Sequence, residues 1–212
     1  RADDPVPRFR EVRCVTGEAD GPRWVGTTAV LVSWTPDAGE GTRFTGDRRG
    51  RGNDNSPAAN DIHDGRVAGD TLWIATFGGG LNRMVRHPET GKARFTAYNT
   101  DNGFPADIIL TLEQDARGVL WMSSENEIIR FDPRTEQSEV YTPHTPGYEE
   151  DINFSEGASL LDRQGNLVFG HNAGACRFLP SAVRKSSFSP RIMFTQLLLF
   201  NREVTPLSLI PL

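Results

Sequence analysis

The chain has 212 residues, 37% of them hydrophobic and 24% charged, which is the make-up of one or two globular domains rather than of a disordered chain. A formal net charge of -5 argues against a nucleic-acid surface, because phosphate binding needs clustered Lys and Arg. Cys14 and Cys176 stand too far apart for a metal-type pair and make no disulfide framework, so each reads as a small buried residue.

The chain opens on "RADDPVPRF", with no methionine and no apolar run, so no signal peptide is visible. It ends on "SLIPL", and the two ends together lead us to expect a piece of a longer chain. The first strand signal is "EADGPRWVGT", around Trp24. The stretch "SWTPDAGEGTRFTGDRRGRGNDNSPAAN" then blurs any pattern, and its basic cluster Gly46–Gly52 reads as a solvated loop. From Gly69 the elements become regular. "GDTLWIAT" is a strand, "FGGG" a turn and "LNRM" a second strand, followed by the hairpin "HPETGK" and the alternating strand "ARFTAY". "DIILTLEQD" leads into the turn "DARG", and "LWMSS", "IIRF", the hairpin "DPRTEQ" and "SEVY" repeat the order. "SEGASLLD", "DRQG", "LVFGH" and "ACRF" begin it again. The longest apolar stretch, Ile192–Phe200, is far too short to span a bilayer.

This order is an internal repeat. Trp73 and Trp121 are 48 residues apart, while Arg83, Arg130 and Arg177 keep a spacing of 47. Asp115 and Asp162, and Gly118 and Gly165, are again 47 apart, and Trp24 precedes Trp73 by 49. Four short strands in one such period, without helical periodicity, describe a β-propeller blade. The fold class expected is all-β, with blades of four antiparallel strands in a partial propeller of about four units. The tryptophans, at fixed register, are expected to pack between blades. A small residue two positions on (Gly26, Ala75, Ser123, Gly170) follows each tryptophan or its counterpart. Ten residues before it stand Cys14, His63, Thr111 and Ala158, expected on the crowded innermost strand.

"GDTLWIATFGGGLNRM" with "TGKARFTAYNTDNGFPADIILTLEQDARGVLWMSS" resembles the two-component regulator propeller repeat, and the resemblance runs from about Pro22 to Val204. "SPRIMFTQLLLFNREV" resembles the opening strand of the immunoglobulin-like three-tyrosine (Y_Y_Y) domain that follows such propellers. The resemblance implies the sensor region of a bacterial hybrid two-component system or diguanylate cyclase, held outside the cytoplasm, in the periplasm, by a membrane-anchored parent. It also implies a propeller larger than four blades. The expected organisation is propeller repeats over 1–188, in units near 1–47, 48–98, 99–141 and 142–188, and a truncated Y_Y_Y start over 189–212.

Alternating strand direction puts the loop into strand one and the loop between strands two and three of each blade on one face. These loops are rich in amide, acid and aromatic groups, the mixture that grips sugar hydroxyls and C–H faces. The ligand-binding candidates are Phe77, Asn102, Phe104, Asp107, Glu125, Asn126, Asn153, His171 and Asn172, although Asn-Gly and Pro-Gly also form turns on their own account. Gly78–Gly80 is not a phosphate cradle: no helix follows, and later repeats replace the glycines. The glycines widen their turn by one residue and could leave room for a ligand. No catalytic motif, metal ligand set or cofactor is expected, with no H-E-x-x-H among the four histidines. The partners expected are a small-molecule or oligosaccharide ligand and the remainder of the receptor, with no nucleic acid and no membrane contact within this stretch. Two alternatives stay open: a structural propeller that forms a homodimer, and a lyase or glycosidase using the acids of "YEED", Glu149, Glu150 and Asp151.

Overall fold

The computed structural model describes residues 11–17, 21–35, 43–47, 56–87, 89–90, 92–143, 152–184, 198–199 and 202–203. Four antiparallel sheets succeed one another, each with its strands in chain order. The first holds β1 (Val12–Gly17), β2 (Arg23–Thr27), β3 (Leu31–Thr35) and β4 (Arg43–Asp47). The second holds β5 (Ile62–Ala68), β6 (Thr71–Thr76), β7 (Leu81–Arg86) and β8 (Ala93–Tyr98). The third holds β9 (Thr111–Gln114), β10 (Leu120–Ser123), β11 (Ile128–Asp132) and β12 (Gln137–Tyr141). The fourth has three strands among the described residues, β13 (Phe154–Leu161), β14 (Leu167–His171) and β15 (Gly174–Phe178). A separate unit, Val183–Leu212, contains the pair β16 (Leu198–Leu199) and β17 (Arg202–Glu203). Most of the stretch resembling the three-tyrosine module lies outside the described residues, as do the acids of "YEED" and the cluster 48–52.

The first strands of successive sheets lie against one another: β1 on β5, β5 on β9 and β9 on β13. Meander sheets whose first strands gather on a common axis are the blades of a β-propeller, as the repeat predicts. The stretch that is blurred in sequence contributes β4, so the first blade is four-stranded too. Among the described residues no helix is long and apolar enough to cross a membrane.

The inner strands are covered by neighbours on both sides, and β6 is accordingly buried at every position but its first. The recurring tryptophans pack between blades as expected. Trp73 lies 5.8 Å from Phe131 of the third blade, and Trp121 lies 5.2 Å from Phe178 of the fourth. Trp24 packs with Ile62, Leu72 and Ile74 of the second. The Asp-x-x-Gly turn has a local cause. Asp115 Oδ1 accepts the N–H groups of Arg117 (2.8 Å) and Val119 (3.1 Å), and Gly118 takes the left-handed φ of 81° that closes the turn. Asp162 and Gly165 repeat it, with Asp162 accepting from Gln164 and Asn166.

The glycine turn joins β6 to β7 and is one residue longer than its counterparts. Five residues separate the paired Ala75 and Leu81, against four between Gly26 and Leu31, Ser123 and Ile128, or Gly170 and Ala175. Of its three glycines, Gly79 and Gly80 face neighbouring backbone, while Gly78 faces open space. A Cβ on Gly79 would lie 2.8 Å from the Ala59 nitrogen, and one on Gly80 would drive into the Tyr98 carbonyl oxygen. The N–H groups of Gly78 and Gly80 both donate to the Asp107 carbonyl, at 2.9 and 2.8 Å.

Candidate functional site

Backbone bonds stitch the loops at the ends of the second strands into one face. Ile109 N–H donates to Thr76 O (3.0 Å), Leu110 to Ser123 (2.8 Å), Phe154 to Glu125 (2.8 Å) and Asn172 to Asn153 (3.0 Å). Asp107, Glu125 and Asn126 line one cleft of about 320 Å³ between the second and third blades, floored by Ile108 and Ser124. Asn153, His171 and Asn172 gather on the fourth blade, where Asn172 Oδ1 accepts Asn153 N–H at 3.0 Å and His171 Nδ1 accepts Ala173 N–H at 3.2 Å.

Several of these residues are spent on the fold. Phe104 is 6% exposed and packs in the core against Tyr98 and Phe131, so its ring offers no face to a ligand. Asn102 closes its own turn: its amide donates to Ala97 O (2.7 Å) and its Oδ1 accepts Asn99 N–H (3.0 Å). Asp107 accepts both the N–H and the hydroxyl of Thr100, which hold its carboxyl below the usual carboxylate range. Glu125, Asn126, Asn153 and Asn172 are exposed, as is Phe77 at 48%. The buried His171 sets its ring edge-on to Phe154.

A second cluster lies where the inner strands converge. Counting back from the tryptophans puts Cys14, His63, Thr111 and Ala158 in one position, but strand pairing replaces His63 by Asp64. Cys14 pairs with Gly26, Asp64 with Ala75 and Thr111 with Ser123. The cause is the tight turn Gly69-Asp70, between the paired Ala68 and Thr71, which leaves Trp73 opposite Arg66, seven residues back. Trp24 and Trp121 face Thr16 and Glu113, each eight back. Asp64 joins blades: its Oδ2 accepts the edge N–H of Leu112 at 2.8 Å, and burial raises its pKa.

His63 is instead a bulge residue. Register shifts fall between Val12 and Cys14 in β1, between Ile62 and Asp64 in β5, and between Phe154 and Ser159 in β13. A bulge turns its extra residue out of the strand's alternation. The shifted segments contain Arg13, His63 and Glu156, and these three side chains meet, with Asp61 beside them. Arg13 Nη1 pairs with Glu156 Oε2, and Arg13 Nε lies 3.6 Å from Asp61 Oδ1. The His63 side chain, 1% exposed, has Nε2 3.7 Å from Asp61 Oδ1 and Nδ1 3.9 Å from Glu156 Oε1. Among the described residues neither imidazole nitrogen has a hydrogen-bond partner, nor do Arg13 Nε and Asp61 Oδ1. Burial holds the imidazole below its usual range, against the pull of Glu156 and Asp61. The Phe77 ring stacks on it at 5.5 Å and 29°.

Farther along the same strands Glu113 pairs with Arg66 and accepts the Ser159 hydroxyl at 3.1 Å, which joins the second, third and fourth blades. That layer uses both carboxylate oxygens of Glu113. Tryptophan spacing misses the mouth because the shorter turn after β5 sets its bulge residue His63 ten residues before Trp73. The longer turn of the first blade sets the paired Cys14 at that distance, and not the bulge residue Arg13. The legible signal was a charge or imidazole in otherwise small-residue strands, "VRCVTG" and "IHDGRVA".

No family model matches the chain. It is 23% identical over 103 residues to Histidine kinase P4 of Formosa agariphila, a match covering 49% of this chain and 7% of the kinase. Among solved structures it is similar to the extracellular domains of two hybrid two-component systems of B. thetaiotaomicron. One shares 17% identity at a TM-score of 0.55 over 80% of this chain, the other 15% at 0.53 over 84%, each match covering 28% of the larger domain. It is also similar to virginiamycin B lyase from Staphylococcus aureus, with 12% identity and a TM-score of 0.56 over 84% of this chain and 58% of the lyase. At these identities the likeness is one of fold, and the chain spans well under a third of the sensor domains it matches.

Proposed function

We propose that this chain is part of the extracytoplasmic, periplasmic sensing region of a bacterial signal-transduction receptor, and that its propeller binds a small-molecule or oligosaccharide ligand on the loop face. The observation that carries the reading is the mouth of the axis, where bulges in three blades bring Arg13, His63 and Glu156 together beneath the exposed ring of Phe77. The fold likeness to extracellular domains of two-component systems supports it, as do the kinase match and the resemblance to two-component regulator propeller repeats. Glu125, Asn126, Asn153 and Asn172 extend the same face outward. The organisation we propose is four repeat units over 1–188, followed by the start of a three-tyrosine module over 189–212, with the remainder of the receptor carrying the signal onward.

Calorimetric titration of the complete sensor region with a panel of oligosaccharides tests this. Saturable binding supports it, and a folded region that binds none of them sinks the carbohydrate reading. A lyase is the second reading, favoured by the likeness to virginiamycin B lyase and by an imidazole set between two carboxylates. Polysaccharide cleavage that disappears in His63→Gln would put it first.

A further inference from the structure

We propose that the mouth of the axis is an acid-driven clamp: a proton taken up by His63 draws Asp61 and Glu156 onto the ring and ties the second blade to the fourth. The clamp needs only a proton and so stands apart from the ligand reading above. Both ring nitrogens of His63 face carboxylate oxygens, Nε2 that of Asp61 at 3.7 Å and Nδ1 that of Glu156 at 3.9 Å. A neutral imidazole carries one N–H and one lone pair, whereas an ionised carboxylate only accepts. The neutral ring therefore satisfies one neighbour at most and turns its lone pair toward the other. The imidazolium, with a donor on each nitrogen, matches both. In the structure neither contact is closed, and among the described residues neither nitrogen has a partner. Buried polar groups left unpaired in this way are costly.

The charges around the ring set the direction. Arg13 reaches in from β1, Asp61 and Asp64 flank His63 in the chain, and Glu156 comes from β13. The charge on β9, Glu113, is engaged by Arg66 farther along the axis. Arg13 brings one positive charge against the two carboxylates of Asp61 and Glu156, so a proton on His63 brings these four side chains to neutrality. Burial opposes that proton and outweighs the pull of the carboxylates, with Arg13 acting in the same sense as burial. The ring is therefore neutral at neutral pH and charges on acidification. Asp61 and Glu156 are partly open, with side chains 30% and 47% exposed, and give the proton a path to a ring that is itself closed off. A hydrogen bond closes at about 2.8 Å, so each carboxylate has about 1 Å to travel. Both are shared with Arg13, whose pair with Glu156 and approach to Asp61 must yield as they move. Phe77, stacked on the imidazole at 5.5 Å, gains a cation beneath its ring and reports the change.

The test is an NMR titration of the full chain between about pH 7.5 and about pH 4.5, across the histidine range, following the His63 and Phe77 rings and the Arg13 Nε–H. His63 should titrate below about 6.5, the usual imidazole value, and the Phe77 and Arg13 signals should move with the same midpoint. Glu156→Gln removes a carboxylate that favours the charged ring and should lower that midpoint; Arg13→Gln removes an opposing cation and should raise it. Glu125→Gln, outside this set of charges, should leave it in place, and near-UV circular dichroism confirms that each variant is folded. The wild-type titration needs no variant, so it decides even where a substitution unfolds the chain. Phe77 and Arg13 signals that stay still while His63 titrates overturn the clamp. So does a midpoint that neither Glu156→Gln nor Arg13→Gln moves, or a ring that stays neutral until the chain unfolds. None of these outcomes touches the sensing reading.

Discussion

Alanine placed in turn at Gly78, Gly79 and Gly80 should give three different costs, because the three glycines are needed for different reasons. Gly78 has φ +87° but open space around a would-be Cβ. Its replacement costs only the left-handed backbone, about 1–2 kcal/mol. Gly79 keeps an ordinary φ, but its Cβ would come within 2.8 Å of Ala59 N and 2.9 Å of Ala58 C, backbone atoms that cannot rotate away. Overpacking of that kind costs about 1–3 kcal/mol. Gly80 combines both penalties: φ is +66° and its Cβ would run into the Tyr98 carbonyl oxygen. Its N–H bond to Asp107 O at 2.8 Å would be strained as well. Summing the backbone, packing and hydrogen-bond contributions gives about 4 kcal/mol for Gly80→Ala. Urea unfolding followed by tryptophan fluorescence reads this directly. At a slope of about 2 kcal/mol per molar, Gly80→Ala should lower the midpoint by about 2 M and Gly78→Ala by less than about 1 M. Equal midpoints for Gly78→Ala and Gly80→Ala, or a larger loss for Gly78→Ala, would refute the view that neighbouring backbone crowds Gly80.

Other consequences are as open to measurement. Trp121→Phe keeps the inter-blade ring contacts but loses the indole N–H bond to Asp115 Oδ2 at 3.2 Å, so it should cost about 1 kcal/mol in urea, against about 3–5 for Trp121→Ala. Burial alone would raise the Asp162 carboxyl, yet Arg177, Asn166 and the backbone N–H of Gln164 outweigh it and bring it from 3.8 down to about 2. A depressed carboxyl stabilises the fold above its unfolded pKa and loses that effect as pH falls. The urea midpoint should therefore drop between about pH 4 and pH 2, and Asp162→Asn should flatten that part of the profile. The Cys14 thiol is pushed up to about 12, by burial first and then by Asp64. Alkylation at pH 8, read by peptide mass spectrometry, should leave Cys14 unmodified until urea unfolds the chain; rapid labelling of the folded protein would refute its burial.

Blade architecture was legible because each of its signals is local. Trp73, Trp121 and the Asp115 and Asp162 turns need only neighbours within one unit to define a strand and its reversal. The first blade was less legible, because the stretch between Trp34 and Asn60 lacks those turn signals although β4 forms within it. Phe104 shows the limit of loop composition. "NTDNGFPAD" reads as a polar loop, but that ring turns inward to Tyr98 and Phe131 because the third blade presents an apolar surface beneath it. Asn102 and Asp107 are likewise polar residues spent on shaping the loop.

From sequence alone one can derive the period, the four-stranded unit, the inter-blade tryptophans and the face on which the loops gather. All of these follow from side-chain alternation and turn chemistry, which act over a few residues. Only the tertiary structure decides which side chains meet at the axis. Arg13, His63 and Glu156 belong to different blades, and bulges of one or a few residues in β1, β5 and β13 turn them toward one another. A bulge is a property of pairing between strands and leaves no fixed spacing in the chain, so the mouth beneath Phe77 exists only once the blades are assembled.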